Sequence, residues 1–139
     1  MAESAITEEM RRAIDKELNR IVFDVEKVLV RRFCEAVEDF NPRWQEFASP
    51  GLFSAIFAEG GIANYPFAMP LPRILDGGGE WEFCKPVKLG DTLTGVRKLA
   101  DLQEKDGKLG RMLFVIRETT WTNQKDEVVA KDRTTSIYY

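Results

Sequence analysis

The hydrophobic pattern of this chain changes period near its middle, and this change most constrains the fold. Residues 52–58 are apolar on nearly every side of a helix, which is typical of a helix buried in the centre of a domain. From residue 80 onward, apolar and polar residues alternate as they do in strands. One buried helix followed by a series of strands predicts an α+β fold, in which an antiparallel sheet wraps a single helix.

The second half of the chain contains four strand-like segments with turn signals between them. The segments span residues 80–84, 91–102, 111–123 and 127–139, and we predict that they are four consecutive antiparallel strands. Gly60 and Gly61 weaken or end the central helix. The proline-rich residues 66–72 and the glycine cluster 77–79 are predicted to be loops.

The first half of the chain predicts two further helices and a short strand. An N-terminal helical extension occupies residues 1–20, with its helix over 7–20 capped by Thr7. A strand follows at 21–25, and a helix at 26–38 has an inner face that includes Val28, Leu29, Phe33 and Val37, with Cys34 as a further candidate. Asn41-Pro42 stops this helix. Ser49 and Pro50 suit the start of the central helix.

Composition limits the class of protein. The 139 residues predict one domain over 1–139 with a substantial core, and the net charge of −3 argues against nucleic acid as a partner. The chain has two cysteines and no histidine, so no metal site is predicted. No apolar run approaches the length of about 20 residues that crosses a bilayer, and the N-terminus is polar. We therefore expect a cytoplasmic protein with no membrane partner.

Three blocks of sequence resemble one family in their order and spacing. Residues 28–44 comprise a helix and a loop with Asp39, Asn41 and Pro42, and the loop is similar to the Asp-x-Asn-Pro-x-His loop of MaoC-like, (R)-specific enoyl hydratases. Residues 49–53 resemble the start of that family's central helix, and residues 70–93 resemble its Gly-Gly-x-Glu-Trp-Glu-Phe stretch. The resemblance extends to the N-terminal, FAS1-like dehydratase type and covers about residues 20–139. It implies the hotdog fold.

The resemblance has three departures. Trp44 stands at the position of the family's catalytic histidine, and no other histidine in the chain can replace it. Asp76 replaces a second histidine before the glycines. The segment between Pro42 and Pro50 is shorter than we expect for the family, so part of a substrate-covering loop is missing.

The resemblance implies roles for several residues, and the residues themselves leave alternatives open. Asp39 is either a residual catalytic carboxylate or a residue that holds its loop through bonds to the backbone. Trp44 is either a wall of the substrate pocket or a filler of the space that the imidazole left. The backbone N–H of Gly51 is in place to bind an enolate oxygen. Asn41, Gly77 and Gly78 complete the set of residues that the resemblance implies for substrate binding. The two glycines either allow a close approach to a pantetheine arm or form a simple turn.

A different class of function depends on Glu59. Many hotdog thioesterases place a carboxylate on the central helix, where it activates water against the thioester carbonyl. Glu59 lies on the predicted central helix, although an exposed acid is also common at such a helix end. The alternatives to a hydratase subunit are therefore an acyl-CoA thioesterase that uses Glu59 and a non-catalytic protein that binds acyl thioesters.

The missing histidine leads to an expectation about partners. Hydration of an enoyl thioester requires a base that titrates near neutral pH, and an indole ring is not a base. The resemblance implies that a second hotdog subunit, carrying the intact Asp-x-Asn-Pro-x-His motif, supplies the dyad in a heterodimer or heterotetramer, with a homodimer left open. No cofactor is expected, because coenzyme A or an acyl-carrier pantetheine would be part of the substrate.

Overall fold

The computed structural model describes residues 3–59 and 63–139, which form a curved antiparallel sheet around a helix. The strands are β1 (Glu17–Asp24), β2 (Ile74–Phe83), β3 (Thr92–Gly107), β4 (Gly110–Thr122) and β5 (Val128–Tyr138). The helices are α1 (Glu8–Arg12), α2 (Lys27–Ala36) and α3 (Leu52–Glu59), with a 3₁₀ helix at Pro42–Gln45. The predicted hotdog architecture is confirmed. Within the described residues, no helix is long and apolar enough to cross a membrane.

The strand order in the sheet is β1-β3-β4-β5-β2. Strands β3, β4 and β5 form the predicted meander of hairpins. The first predicted strand of the second half, β2, pairs with β5 instead of β3, so the four strands are not consecutive in the sheet. β1 and β2 are therefore the two edges of the sheet, and one side of each has no neighbouring strand among the described residues.

Helix α3 packs its inner face against the concave side of the sheet. Leu52, Phe53 and Ile56 are almost fully buried there, whereas Ser54 and Ala55 are exposed in the single chain. Phe53 contacts Trp121 of β4 with ring centroids 5.6 Å apart in an edge-to-face arrangement. A second cluster of buried residues, including Met10, Leu18, Leu99 and Val115, lies under α1.

The predicted N-terminal helix over 7–20 is wrong beyond its first turns. Thr7 does cap α1, because its hydroxyl accepts a hydrogen bond from the Met10 N–H at 3.2 Å. The helix ends at Arg12, and Asp15 has a left-handed backbone (φ 67°) before β1 begins at Glu17. Leu18 satisfied helical spacing in the sequence, but its side chain is buried as part of a strand that pairs with β3.

Two other sequence predictions need correction. Helix α2 buries Val30 and Cys34, while Val28, Leu29 and Val37 of the predicted inner face are exposed. Residues 77–79 are part of β2, where the register with β5 shifts between Asp76 and Gly79. Gly78 has a φ of 96°, and a Cβ on Gly77 would lie 2.9 Å from a Thr135 methyl group. Glycines are therefore required there by a β-bulge within a strand.

We expect Gly95→Ala to destabilise the fold by about 1–3 kcal/mol, because overpacking a filled core forces side chains off their preferred positions. A Cβ on Gly95 would lie 2.7 Å from the Trp121 ring. The comparison variant is Gly79→Ala on the exposed edge strand, where the nearest atom is a Thr134 methyl group at 3.1 Å. Urea unfolding of both variants tests this, and equal losses would contradict it.

Candidate functional site

The loop after α2 places Asp39 and Trp44 side by side. Helix α2 ends at Ala36, and Glu38 adopts a left-handed backbone (φ 56°) that reverses the chain. The Asp39 N–H then donates to the Cys34 carbonyl at 2.9 Å, which fixes the start of the loop against the helix end. The 3₁₀ helix that follows carries Trp44 back toward Asp39.

Asp39 accepts a hydrogen bond from the indole that replaces the histidine. Trp44 Nε1 donates to Asp39 Oδ2 at 2.8 Å, and both side chains are half-buried. The other carboxylate oxygen, Oδ1, accepts from the Asn41 N–H at 3.3 Å. Asn41 in turn caps the 3₁₀ helix, because its Oδ1 accepts from the Arg43 N–H at 3.0 Å. Both carboxylate oxygens of Asp39 therefore accept hydrogen bonds from the protein.

This arrangement differs chemically from an Asp/His dyad. An imidazole can accept a proton from water near neutral pH, but an indole N–H is a donor only. Trp44 thus holds the carboxylate without adding a base. The bonds of Asp39 and Asn41 to the indole and the backbone are those expected of residues that organise a loop.

Cys34 does not compensate for the missing base. Its side chain is buried beside Asp39, and burial raises the pKa of the Cys34 thiol, which the negative charge of Asp39 raises further. Less thiolate is therefore present at neutral pH than in an exposed cysteine. The thiol acts as a small apolar group under the loop.

Trp44 separates two grooves on the surface of the chain. A groove of about 310 Å³ between α2 and the loop contains Asp39, Asn41 and Trp44, with Lys27 and Arg31 at its rim. On the other side of the indole, a groove of about 230 Å³ runs toward the start of α3. Its lining is mostly apolar and includes Trp44, Phe47, Pro50, Phe53, Phe83 and Val87.

Gly51 lies outside the Asp39 groove. It occupies the exposed turn before α3, and its N–H donates no hydrogen bond to any described residue. It lines a cavity of about 240 Å³ together with Phe53, Trp81 and Phe83. The rings of Trp81 and Phe83 are stacked, with centroids 6.1 Å apart, and both contact Phe53. Gly51 therefore opens onto an aromatic wall that adjoins the second groove of Trp44.

The remaining sequence-predicted residues are spread over other parts of the chain. Gly77 and Gly78 lie in the β2 bulge, where the Gly78 N–H donates to Asp76 Oδ1 at 2.8 Å. Gly78, but not Gly77, lines a cavity on the concave face of the sheet. Glu59 is the last residue of α3, and its side chain lies outside the described part of the structure. The thioesterase hypothesis therefore stays a prediction.

The sequence analysis missed a group of charged residues at and beside this cavity. Arg97 of β3 lines the cavity and is 1% exposed, and Arg117 of β4 lines it and is half-buried. Asp132 of β5 is 3% exposed and lies near both arginines. Burial lowers the pKa of Arg97, and the neighbouring Arg117 lowers it further. Burial also raises the pKa of Asp132. The alternation of residues along β3 indicates that Arg97 points inward, because Arg97 shares its face of the strand with Leu93 and Leu99.

We expect a double-mutant cycle to measure the Trp44–Asp39 interaction. Trp44→Phe removes the indole N–H but keeps a ring, and Asp39→Ala removes the carboxylate. A hydrogen bond to a charged, half-buried group predicts a coupling free energy of about 1 kcal/mol in urea unfolding. The control cycle pairs Trp44→Phe with Asn41→Ala, whose side chain bonds to Arg43 instead. Equal coupling in both cycles would contradict the interaction.

Comparison with known proteins identifies the family. The chain matches the family described as "FAS1-like, dehydratase domain region" over residues 12–132. Comparison with curated protein sequences found no match. Among solved structures, the chain is similar to the ChsH1-ChsH2 complex from Mycobacterium tuberculosis, with 16% identity and a TM-score of 0.74 over 89% of this chain and 84% of that one.

Two further structures show the same fold. The (R)-hydratase PhaJ1 from Pseudomonas aeruginosa is 17% identical, with a TM-score of 0.69 over 90% of this chain and 81% of that one. The HadBC (3R-hydroxyacyl-ACP dehydratase) complex from Mycobacterium tuberculosis is 17% identical, with a TM-score of 0.66 over 89% and 99%. The chain belongs to the FAS1-like dehydratase region family and has the hotdog fold of the MaoC-like and (R)-hydratase proteins.

Proposed function

We propose that this chain is the histidine-free subunit of a heteromeric (R)-specific enoyl thioester hydratase, or 3-hydroxyacyl dehydratase. A partner subunit supplies the Asp/His dyad, and this chain contributes to binding of the acyl thioester. The observation that carries the proposal is the hydrogen bond from Trp44 Nε1 to Asp39 Oδ2. It holds the loop that resembles the hydratase motif, and it provides no base.

The proposed contribution of this chain is to bind and orient the substrate. Hydration requires an activated water, a proton for the α carbon and donors for the enolate oxygen. The partner would provide the first two. The Gly51 N–H has no protein acceptor among the described residues and stands beside the aromatic wall of Phe53, Trp81 and Phe83, which would pack against an acyl chain. Coenzyme A or a carrier pantetheine belongs to the substrate, so no separate cofactor is proposed.

The proposed partner surface is the free edge of β2. An edge strand presents backbone N–H and C=O groups that a second sheet can pair with. β2 also carries exposed apolar side chains at Ile74, Leu75 and Phe83. Two of the similar structures are complexes by name, ChsH1-ChsH2 and HadBC, which supports pairing with another hotdog subunit. A homodimer through the same edge is the competing arrangement.

The purified chain alone should hydrate enoyl thioesters such as crotonyl-CoA at background rates, because Trp44 provides no base. Activity should appear when a hotdog subunit with the intact Asp-x-Asn-Pro-x-His motif is added, and Trp44→Phe in this chain should leave that activity largely intact. The measurement is the loss of the enoyl thioester absorbance. A turnover above about 1 per second, the low end for ordinary enzymes, from the chain alone would refute the proposal.

Leu75→Lys should weaken association through the β2 edge, since lysines on edge strands disfavour pairing with another sheet. Leu75 is 44% exposed, so the monomer should fold. The matched control is Val22→Lys on the opposite edge strand, where Val22 is 66% exposed. Light scattering after gel filtration reports the assembly. If Val22→Lys dissociates it and Leu75→Lys does not, the interface lies on the β1 side.

A further inference from the structure

We propose that the apolar groove between Trp44 and Phe53 binds a short acyl chain, and that the indole ring of Trp44 limits the length of that chain. This inference rests on the proposed function for the identity of the ligand, because that function makes the ligand an acyl thioester. It adds the position of the acyl chain and the class of chain that fits. Trp44 then selects among substrates by chain length instead of supplying a base.

Three depressions follow one another along this surface. The cavity of about 240 Å³ at Gly51 shares Pro50, Phe53 and Phe83 with the groove of about 230 Å³, which we name the Phe53 groove. Among the described residues, Trp44 is the one that the Phe53 groove shares with the groove of about 310 Å³ beyond the indole. A thioester carbonyl that accepts from the Gly51 N–H would therefore direct its acyl chain along the Phe53 groove toward Trp44.

The Phe53 groove has an apolar floor and fixed sides. Ala48, Phe53 and Val87 line it and are almost fully buried, so the floor is part of the core. The Ala48 N–H donates to the Val87 carbonyl at 2.8 Å, and the Leu89 N–H donates to the Glu46 carbonyl at 3.0 Å. These bonds hold the two sides of the groove together before a ligand arrives. A preformed groove of this kind loses little conformational freedom on binding.

The charged residues in the lining of the Phe53 groove are exposed at its surface. Lys85 pairs with Glu127, and the Arg43 guanidinium carbon lies 5.5 Å from the centre of the Phe47 ring. Both cationic side chains are exposed, so their charged ends remain in water. The surface that the groove offers to a ligand is therefore mostly apolar, which suits an uncharged acyl chain.

The indole ring ends the Phe53 groove, and the protein holds the ring in place. Trp44 Nε1 donates to Asp39 Oδ2 at 2.8 Å, and the Trp44 backbone N–H donates to the Asn41 carbonyl at 3.0 Å. The ring also packs against the core cluster that includes Phe53 and Val87. Moving the ring aside would break its bond to a half-buried carboxylate, which is costly. An acyl chain that reaches the ring therefore stops there.

The size of the Phe53 groove favours a short chain. Ligand pockets usually have volumes of about 300–1,000 Å³, whereas this groove has a volume of about 230 Å³. A longer chain would have to leave the groove at Trp44, and its further methylene groups would stay in water, where they gain no burial. Without the indole, the groove would continue into the one of about 310 Å³ that contains Asp39 and Phe40.

The test measures affinity against chain length by calorimetric titration of the full chain. The ligands are amide analogues of N-acetylcysteamine thioesters, in which nitrogen replaces the sulfur so that Cys84 in the groove cannot exchange with them. They carry butyryl, hexanoyl, octanoyl and decanoyl chains. Each methylene group buried in the groove should tighten binding about fourfold, and we expect this gain to end before the decanoyl chain. A gain that continues through the decanoyl chain, or no binding of any analogue, overturns the proposal.

Variants of Trp44 locate the length limit. In Trp44→Ala the gain should continue through the decanoyl chain, because the chain can pass into the groove beyond. Trp44→Leu keeps more of the packing and should shift the limit in the same direction, so it serves if Trp44→Ala does not fold. The matched control is Phe40→Ala, which removes a 73% exposed ring from the groove beyond Trp44 and should leave the limit unchanged. An unchanged limit in the folded Trp44 variants, or an equal shift in Phe40→Ala, overturns the assignment.

Alkylation of Cys84 locates the bound chain. Cys84 lines the Phe53 groove and is exposed, whereas Cys34 is buried and burial raises the pKa of its thiol, so iodoacetamide should modify Cys84 first. The hexanoyl analogue should slow the alkylation of Cys84 in proportion to the saturation that calorimetry gives. A bound analogue that leaves the alkylation rate unchanged lies outside the groove and overturns the assignment.

These measurements separate the inference from the proposed function. They need neither a partner subunit nor the hydration reaction. A length limit that moves with Trp44 supports the groove even if the heteromeric hydratase activity is never found. An active heteromer that accepts all four chain lengths equally well removes this inference and leaves the proposed function standing.

Discussion

The buried hydrogen bond from Trp121 Nε1 to Asp132 Oδ2 joins the two halves of the concave surface. On one side, the Trp121 ring packs edge-to-face against Phe53 and so seats α3 on the sheet. This packing is possible because Gly95, on the neighbouring strand, has no side chain. On the other side, Asp132 brings a negative charge next to Arg97 and Arg117. The apolar half of the concave face thus carries the helix, and the polar half forms the cavity beside it.

The loop that carries Asp39 is held together by local hydrogen bonds and contains no base beside the carboxylate. An indole N–H and an imidazole N–H can both donate to a carboxylate, and Trp44 donates to Asp39 at 2.8 Å. The imidazole also has a nitrogen that accepts a proton, and the indole does not. Asn41 and the 3₁₀ helix then hold the loop by local bonds that need no substrate. The contacts that define the loop therefore do not depend on a base or on a bound substrate.

The sequence predicted the parts of the fold whose signal is local. The strands of the second half and the start of α3 follow from alternation, turn residues and the proline at position 50. The prediction of a helix over 7–20 was wrong because the four-residue spacing of Met10, Ile14 and Leu18 is compatible with one long helix and also with a short helix followed by a strand. The pairing of β2 with β5 depends on long-range contacts that no local pattern encodes. The glycines at 77–79 predicted a loop, but they lie in a β-bulge. A bulge and a loop both favour glycine, so the sequence pattern does not distinguish them.

The site was predicted less completely than the fold, for a reason that lies in a buried arginine. Arg97 occupies a position in the inward series of β3 where alternation predicts an apolar residue, and the sequence analysis did not single it out. Burying a guanidinium group such as that of Arg97, which is 1% exposed, is costly, and an apolar residue of similar volume would stabilise a sheet at least as well. Local alternation therefore favours an apolar residue at position 97 and does not predict the buried arginine.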